Sequence, residues 1–144
     1  MRTTFEFDFE TTATPAQVVE LMTDFSPRRG ERWPAFSDDA FEVYRVGDTD
    51  ADIREGQNFP KLWAKWHYDW SEPNSVVLKI VESDDLQPGG FMSLAATPRD
   101  GGSAVHAVWQ QTSTSARGLL AVVMMRLIGP RFLSRYYKKV YDGL

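Results

Sequence analysis

The sequence predicts an α+β fold: a curved, seven-stranded antiparallel sheet around one long C-terminal helix, with one or two short helices after the first strand. Three observations predict it. Thr3 to Glu10 alternates strictly, setting Phe5, Phe7 and Phe9 against Glu6, Asp8 and Glu10, the pattern of a strand with one buried face. From Phe41 to Thr112, strand-like segments alternate with turns rich in Gly, Pro and Asp, at the regular spacing of an antiparallel meander. Finally, Ala116 to Tyr141 reads as a helix. A sheet of this kind has one face to cover, and that helix is the only long element left to cover it.

Each element has a local reason. In the first strand Phe5, Phe7 and Phe9 share one side, and Glu6, Asp8 and Glu10 the other. The stretch "TPAQ" then starts a helix. Thr14 can cap it, Pro15 fits the first helical position, and Gln17 can reach back as in a capping box. Val18, Leu21 and Met22 form its apolar stripe, and Ser26-Pro27 stops it. "RRGERWP" is a turn or a second short helix with Trp33 packed inward. Phe41 to Val46 is a strand, "GDTDAD" a turn, and Ile53 to Phe59 a weaker strand containing Gly56. Lys61 to Trp70 is a strong strand, and "SEPNS" turns it into Val76 to Glu82. "DDLQPGG" and "PRDGG" separate the last strands, Phe91 to Thr97 and Ala104 to Thr112. The final helix should be about 35 to 40 Å long, and Gly129-Pro130 should kink it. One helix does not easily fill the hollow of a seven-stranded sheet, so a cavity follows unless side chains fill it.

Composition narrows the chemistry. The 144 residues suit one domain spanning 1-144. The absence of cysteine excludes disulfides, thiolate catalysis and Cys-based metal sites. The two histidines have no ligand spacing around them, so neither a metal nor a cofactor is expected. The N-terminus lacks the apolar core of a signal peptide. The most apolar run, Gly118 to Gly129, is interrupted by Arg126 and falls short of the ~20 residues of a membrane span. A cytoplasmic protein is the default, with no transmembrane segment. A net charge of −4 argues against nucleic acid as a partner. The charge is uneven, however: residues 101 to 144 hold six bases (Arg117, Arg126, Arg131, Arg135, Lys138 and Lys139) and one acid, Asp142. A basic helix beside an acidic sheet accounts for this, its late cations favoured by the helix dipole. Contact with a membrane surface or an anionic ligand stays open. Oligomeric state is not readable.

In order along the chain, the first strand, "TPAQVVELMTD" (Thr14 to Asp24), Trp33-Pro34, "VGDTDADIREGQNF" (Val46 to Phe59), "YDWSEPNSVVLKIVESD" (Tyr68 to Asp84) and the final helix resemble the START-like helix-grip superfamily (SRPBCC). The nearest branch is the polyketide cyclase/dehydrase and lipid-transport group. The resemblance covers nearly the whole chain and rests on the order of the motifs. It implies a helix-grip fold with a hydrophobic pocket between sheet and C-terminal helix. Members bind lipids, sterols, hormones or polyketides, and a minority catalyse cyclisation or dehydration. No catalytic motif carries over residue by residue. The expected function is binding or transport of a small hydrophobic molecule, lipid or polyketide-like, more in keeping with a carrier than an enzyme. The alternatives are a cyclase/aromatase-type enzyme and a protein-interaction module of the same fold.

Candidate contacts follow from the faces of the strands. In "LWAKWHYDW", Leu62, Ala64, Trp66, Tyr68 and Trp70 share the more apolar face. Trp66 and Tyr68 either touch a ligand or fill core. His67 and Asp69 fall on the opposite, outer face, and His106 points outward too, so neither histidine belongs to a catalytic triad. Leu78 lines the inner face with Val76 and Ile80, and strict alternation puts Glu82 there as well. Trp109 and Gln111 share a face of the last strand, where Gln111 could orient a ligand hydroxyl or carbonyl, unless it lies at the wet rim. Extrapolating the apolar face of the late helix backwards places Arg126 inward, near Val122. A buried guanidinium there would need Glu82 or a ligand carboxylate as partner. A kink at Gly129-Pro130 would instead turn it to solvent.

Overall fold

The computed structural model describes residues 1–36, 40–58 and 60–144. The order is β1 (Arg2–Thr11), α1 (Pro15–Met22), α2 (Arg29–Arg32), β2 (Glu42–Val46), β3 (Asp50–Asn58), β4 (Lys61–Asp69), β5 (Ser75–Glu82), β6 (Phe91–Arg99), β7 (Gly102–Thr112) and α3 (Ala116–Asp142). The strands form one antiparallel sheet in the order β1-β7-β6-β5-β4-β3-β2. Six strands meander, and β1 adds to the outside of β7, pairing Phe5 with Trp109 and Phe9 with Val105.

The start of α1 follows from its capping box. The Thr14 hydroxyl accepts from the Gln17 backbone N–H at 3.2 Å, and the Gln17 side chain accepts from the Thr14 N–H at 2.9 Å. The helix ends at Met22, earlier than Ser26-Pro27 requires, and the Thr23 hydroxyl donates back to the Val19 carbonyl at 2.8 Å. Trp33, just past α2, is fully buried against Phe36, Tyr137 and Tyr141.

α3 lies across the concave face of the sheet, mainly against β1. Two glycines allow the approach. A Cβ on Gly118 would sit 2.0 Å from the Asp85 carbonyl oxygen, and one on Gly129 would sit 2.8 Å from the Phe5 ring. Ser115 caps the helix by accepting from the Gly118 N–H at 3.0 Å while donating to Asp85 at 2.7 Å. At the other end Thr11 donates to Asp142 at 2.6 Å, and Tyr141 donates to the Val18 carbonyl at 2.8 Å. Phe7, Phe9, Trp33, Tyr137 and Tyr141 form an aromatic core there. α3 runs through Pro130 as one helix of 27 residues. Among the described residues, no helix is long and apolar enough to cross a membrane.

Three boundaries differ from the sequence reading. β3 begins at Asp50, inside the expected turn, because Arg45 on β2 grips both Asp50 (2.7 Å) and Asp52 (3.0 Å) and holds the hairpin paired to its end. The expected far end of that strand, Phe59, lies outside the described residues. β6 and β7 extend to Arg99 and Gly102, leaving a shorter hairpin than "PRDGG" suggests.

Candidate functional site

A cavity of about 160 Å³ lies between the sheet and α3. β4 supplies Leu62, Ala64, Trp66 and Tyr68 to its wall; Leu78, Met92 and Trp109 come from β5, β6 and β7. α3 contributes Met125, Phe132, Leu133, Tyr136 and Tyr137, and the segment after α2 contributes Ala35 and Phe36. The wall is therefore mostly apolar and aromatic. Phe132 is 46% exposed, so the wall reaches the surface at that residue.

One part of the wall is different. β3 turns Ala51, Ile53 and Glu55 inward, so an acid follows two apolar residues on the buried face. Glu55 is 6% exposed and lines the cavity beside Tyr68. Behind them sits Arg29, 2% exposed and not part of the wall. Its Nε donates to Glu55 Oε2 at 2.7 Å, and its Nη2 donates to Glu55 Oε1 at 3.2 Å and to the Tyr68 hydroxyl at 2.9 Å. Its Nη1 donates to the carbonyls of Met22 and Asp24 at 3.0 and 2.9 Å. All five N–H donors of the guanidinium are thus used inside the protein. The Tyr68 hydroxyl donates to Glu55 Oε1.

These contacts fix the charge states. Burial pushes the Tyr68 hydroxyl well above the usual phenol range, reinforced by the Glu55 charge, so it stays protonated at neutral pH. Burial alone would lower the Arg29 pKa, but Tyr68 and Glu55 raise it above the ordinary arginine range. The site is a neutral ion pair with a phenol bridging it, set into an apolar wall. Phe25 and Phe36 lie over the guanidinium at 4.8 and 5.6 Å, adding cation–π contacts.

The structure brings Trp66, Tyr68, Leu78, Trp109 and Gln111 together in the wall. It moves three other candidates away. Glu82 faces outward, because a β-bulge pairs Lys65 with Glu82 but Trp66 with Ile80, and the extra residue inverts the alternation. Glu82 pairs there with Lys65 at 2.9 Å, on the outer face. Arg126 is exposed, and Val122 is buried outside the cavity wall, in a second cluster with Leu86 and Ala121. The cause lies in helix phase. The inward residues of early α3 are Gly118, Ala121, Val122 and Gly129, and those of the late half are Tyr137 and Tyr141. At 100° per residue the two sets differ by roughly 120° around the axis, so a backward extrapolation misplaces Arg126. His67 and His106 face outward, against Asp52 (2.7 Å) and Asp8 (2.8 Å) respectively.

Sequence reasoning missed Glu55 and Arg29. The signal for Glu55 was present in the alternation of Ala51, Ile53 and Glu55, but the strand was expected to begin only at Ile53. Nothing local distinguishes Arg29 from its neighbours Arg28 and Arg32. Among the described residues, no cluster of three or more His, Asp or Glu is placed to hold a metal ion.

Neither a protein-family model nor a curated protein matches the sequence. Solved structures match it closely in shape. A START superfamily protein from Mycobacterium smegmatis superposes with a TM-score of 0.75 at 9% identity, over 97% of this chain and 94% of that one. The Zhui aromatase/cyclase from Streptomyces sp. R1128 gives 0.73 at 12% identity, over 99% and 93%. Norcoclaurine synthase from Thalictrum flavum, in complex with dopamine and hydroxybenzaldehyde, gives 0.67 at 8% identity, over 97% and 86%. The chain has the START-like helix-grip fold.

Proposed function

We propose that this protein binds, and carries or presents, a small hydrophobic molecule, lipid or polyketide-like in character, in the cavity between the sheet and α3. The observation that carries the reading is the wall itself: apolar and aromatic nearly throughout, with one buried polar cluster at Glu55 and Tyr68. Binding pockets combine these same elements, apolar area for affinity and a few placed polar groups for orientation. Trp66, Tyr68, Leu78, Trp109 and Gln111 are the contacts we assign to the ligand. Native mass spectrometry of freshly purified protein tests the reading, together with titration of a neutral fluorescent hydrophobic probe. Ala64→Trp serves as control, since Ala64 is 1% exposed and lines the cavity. The expected result is an added mass lost on denaturation, or saturable probe binding, that Ala64→Trp abolishes without unfolding the protein. Absence of both in the wild type, or binding unchanged in Ala64→Trp, overturns it.

The second reading is a cyclase/aromatase-type enzyme. A specific observation favours it: a carboxylate and a protonated phenol hydrogen-bonded to each other inside an apolar cavity could serve as base and acid. The aromatase/cyclase and norcoclaurine synthase likenesses agree with that chemistry without assigning a reaction here. Conversion of a bound polyketone by wild-type protein, lost in Tyr68→Phe, would favour this reading over a carrier.

The outer face of α3 supports a membrane-surface contact as part of the same role. Leu127 is 77% exposed and Ile128 53%, and Arg131, Arg135 and Lys139 border the same groove. Apolar side chains rimmed by cations suit an anionic bilayer surface. Vesicles with 30% anionic lipid should retain the wild type and release Leu127→Glu/Ile128→Glu; equal retention of both, or of neither, counts against the contact.

A further inference from the structure

The hydrogen-bonding capacity left over at the polar end of the cavity is one-sided. Arg29 has no N–H to offer a ligand, since all five are engaged, and it stands behind the wall. The Tyr68 hydrogen is committed to Glu55. Glu55 accepts three hydrogen bonds, while a carboxylate has about four lone-pair sites. A lone pair on Oε2 is therefore left, and the Tyr68 oxygen keeps one more. Tyr68 is fully buried, so its oxygen is covered; what Glu55, 6% exposed, presents to the cavity is acceptor capacity without a donor.

The electrostatics restrict the occupant further. A carboxylate ligand would meet the negative oxygens of Glu55 with the balancing guanidinium on the far side. An ammonium would bring an unmatched charge into an apolar chamber, because Arg29 already neutralises Glu55. A neutral O–H donor satisfies the spare lone pair and adds no charge. The amide of Gln111, four strands away from Glu55 on β7, can accommodate a second polar group. Trp66, Tyr68, Trp109 and Tyr136 favour a flat or ring-shaped body.

Resting on the ligand-binding reading above, we infer that the cavity selects neutral, hydroxyl-bearing ring compounds, whose O–H donates to Glu55, and discriminates against carboxylates of the same shape.

The test is a ligand-detected NMR titration of the full chain at pH 7 with 4-propylphenol, propylbenzene and 4-propylbenzoate. These share one ring and tail and fit a cavity close in size to the ~150 Å³ that admits benzene. The phenol should bind at least ~10-fold tighter than the hydrocarbon, as a hydrogen bond to a charged group allows, and the benzoate more weakly than both. Glu55→Gln should cut the phenol preference to within about 3-fold, if circular dichroism shows it folded; if it is not folded, the wild-type series decides alone. Hydrocarbon and phenol binding alike, or benzoate binding tightest, overturns the selectivity and leaves the cavity reading standing. If none of the three binds, the cavity reading falls and the selectivity with it.

Discussion

Replacing Arg29 by Met should be among the most damaging single changes in this chain. The guanidinium is 2% exposed and the Glu55 carboxylate 6%, so the substitution leaves a buried carboxylate whose only remaining partner among the described residues is the Tyr68 hydroxyl. Removing one member of a buried ion pair costs about 3–5 kcal/mol, most of it from the uncompensated charge. In a chain of this length that is a fall in Tm of roughly 10–15 °C. Glu55→Met should cost a similar amount by stranding Arg29. The double variant should cost far less than the two summed, because neither charge is then left alone. It will not return to wild type, since Arg29 also holds the Met22 and Asp24 carbonyls that close the loop after α1, at ~1 kcal/mol each. Urea unfolding followed by circular dichroism gives the cycle, and the coupling should persist in 1 M salt because the pair is buried. Additivity within ~0.5 kcal/mol, or single costs below ~1 kcal/mol, would refute the claim that the pair acts as a unit.

Trp66→Ala should weaken binding of the native ligand, whereas Arg126→Leu should not change it, because Arg126 is exposed and off the cavity wall; equal losses in a side-by-side titration would contradict the placement of α3. Gly118→Ala should lower the Tm despite alanine's better helix propensity, since its Cβ would meet the Asp85 carbonyl at 2.0 Å; overpacking of ~1–3 kcal/mol outweighs a gain of about 1 kcal/mol, and a Tm at or above wild type would count against the close contact. His106 has its pKa raised above 6.5, chiefly by its hydrogen bond to Asp8. Its contribution to stability is therefore full below the unfolded-state pKa and lost as pH rises through the folded-state value. An NMR titration of the ring should give a midpoint above 6.5 that Asp8→Asn lowers, and no change on that substitution would refute the assignment.

The limits of the sequence lie where alternation or helical phase is interrupted by something non-local. Phe5, Phe7 and Phe9 were readable because β1 pairs with β7 without a break in register, so period two holds from end to end. The start of α1 was readable because its capping box is made of residues three apart. Glu82 was misplaced because one inserted residue in β5 reverses every later side chain, and no residue type at Val81 announces a bulge. Arg126 was misplaced for the matching reason in a helix: the start of α3 packs on the connection carrying Asp85 while its later half lies along β1, and a straight projection cannot carry the phase between two different surfaces. Glu55 is the instructive case. An acid at an inward position is a contradiction within its own strand, and it is resolved only by an arginine 26 residues earlier that nothing nearby marks as buried. Such a contradiction is informative in itself. Replacing a buried ion pair by an apolar cluster of similar volume is often neutral or stabilising, and Glu55 and Tyr68 lie where the core borders the cavity. Ligand binding, as proposed above, gives that placement a use that folding alone does not require.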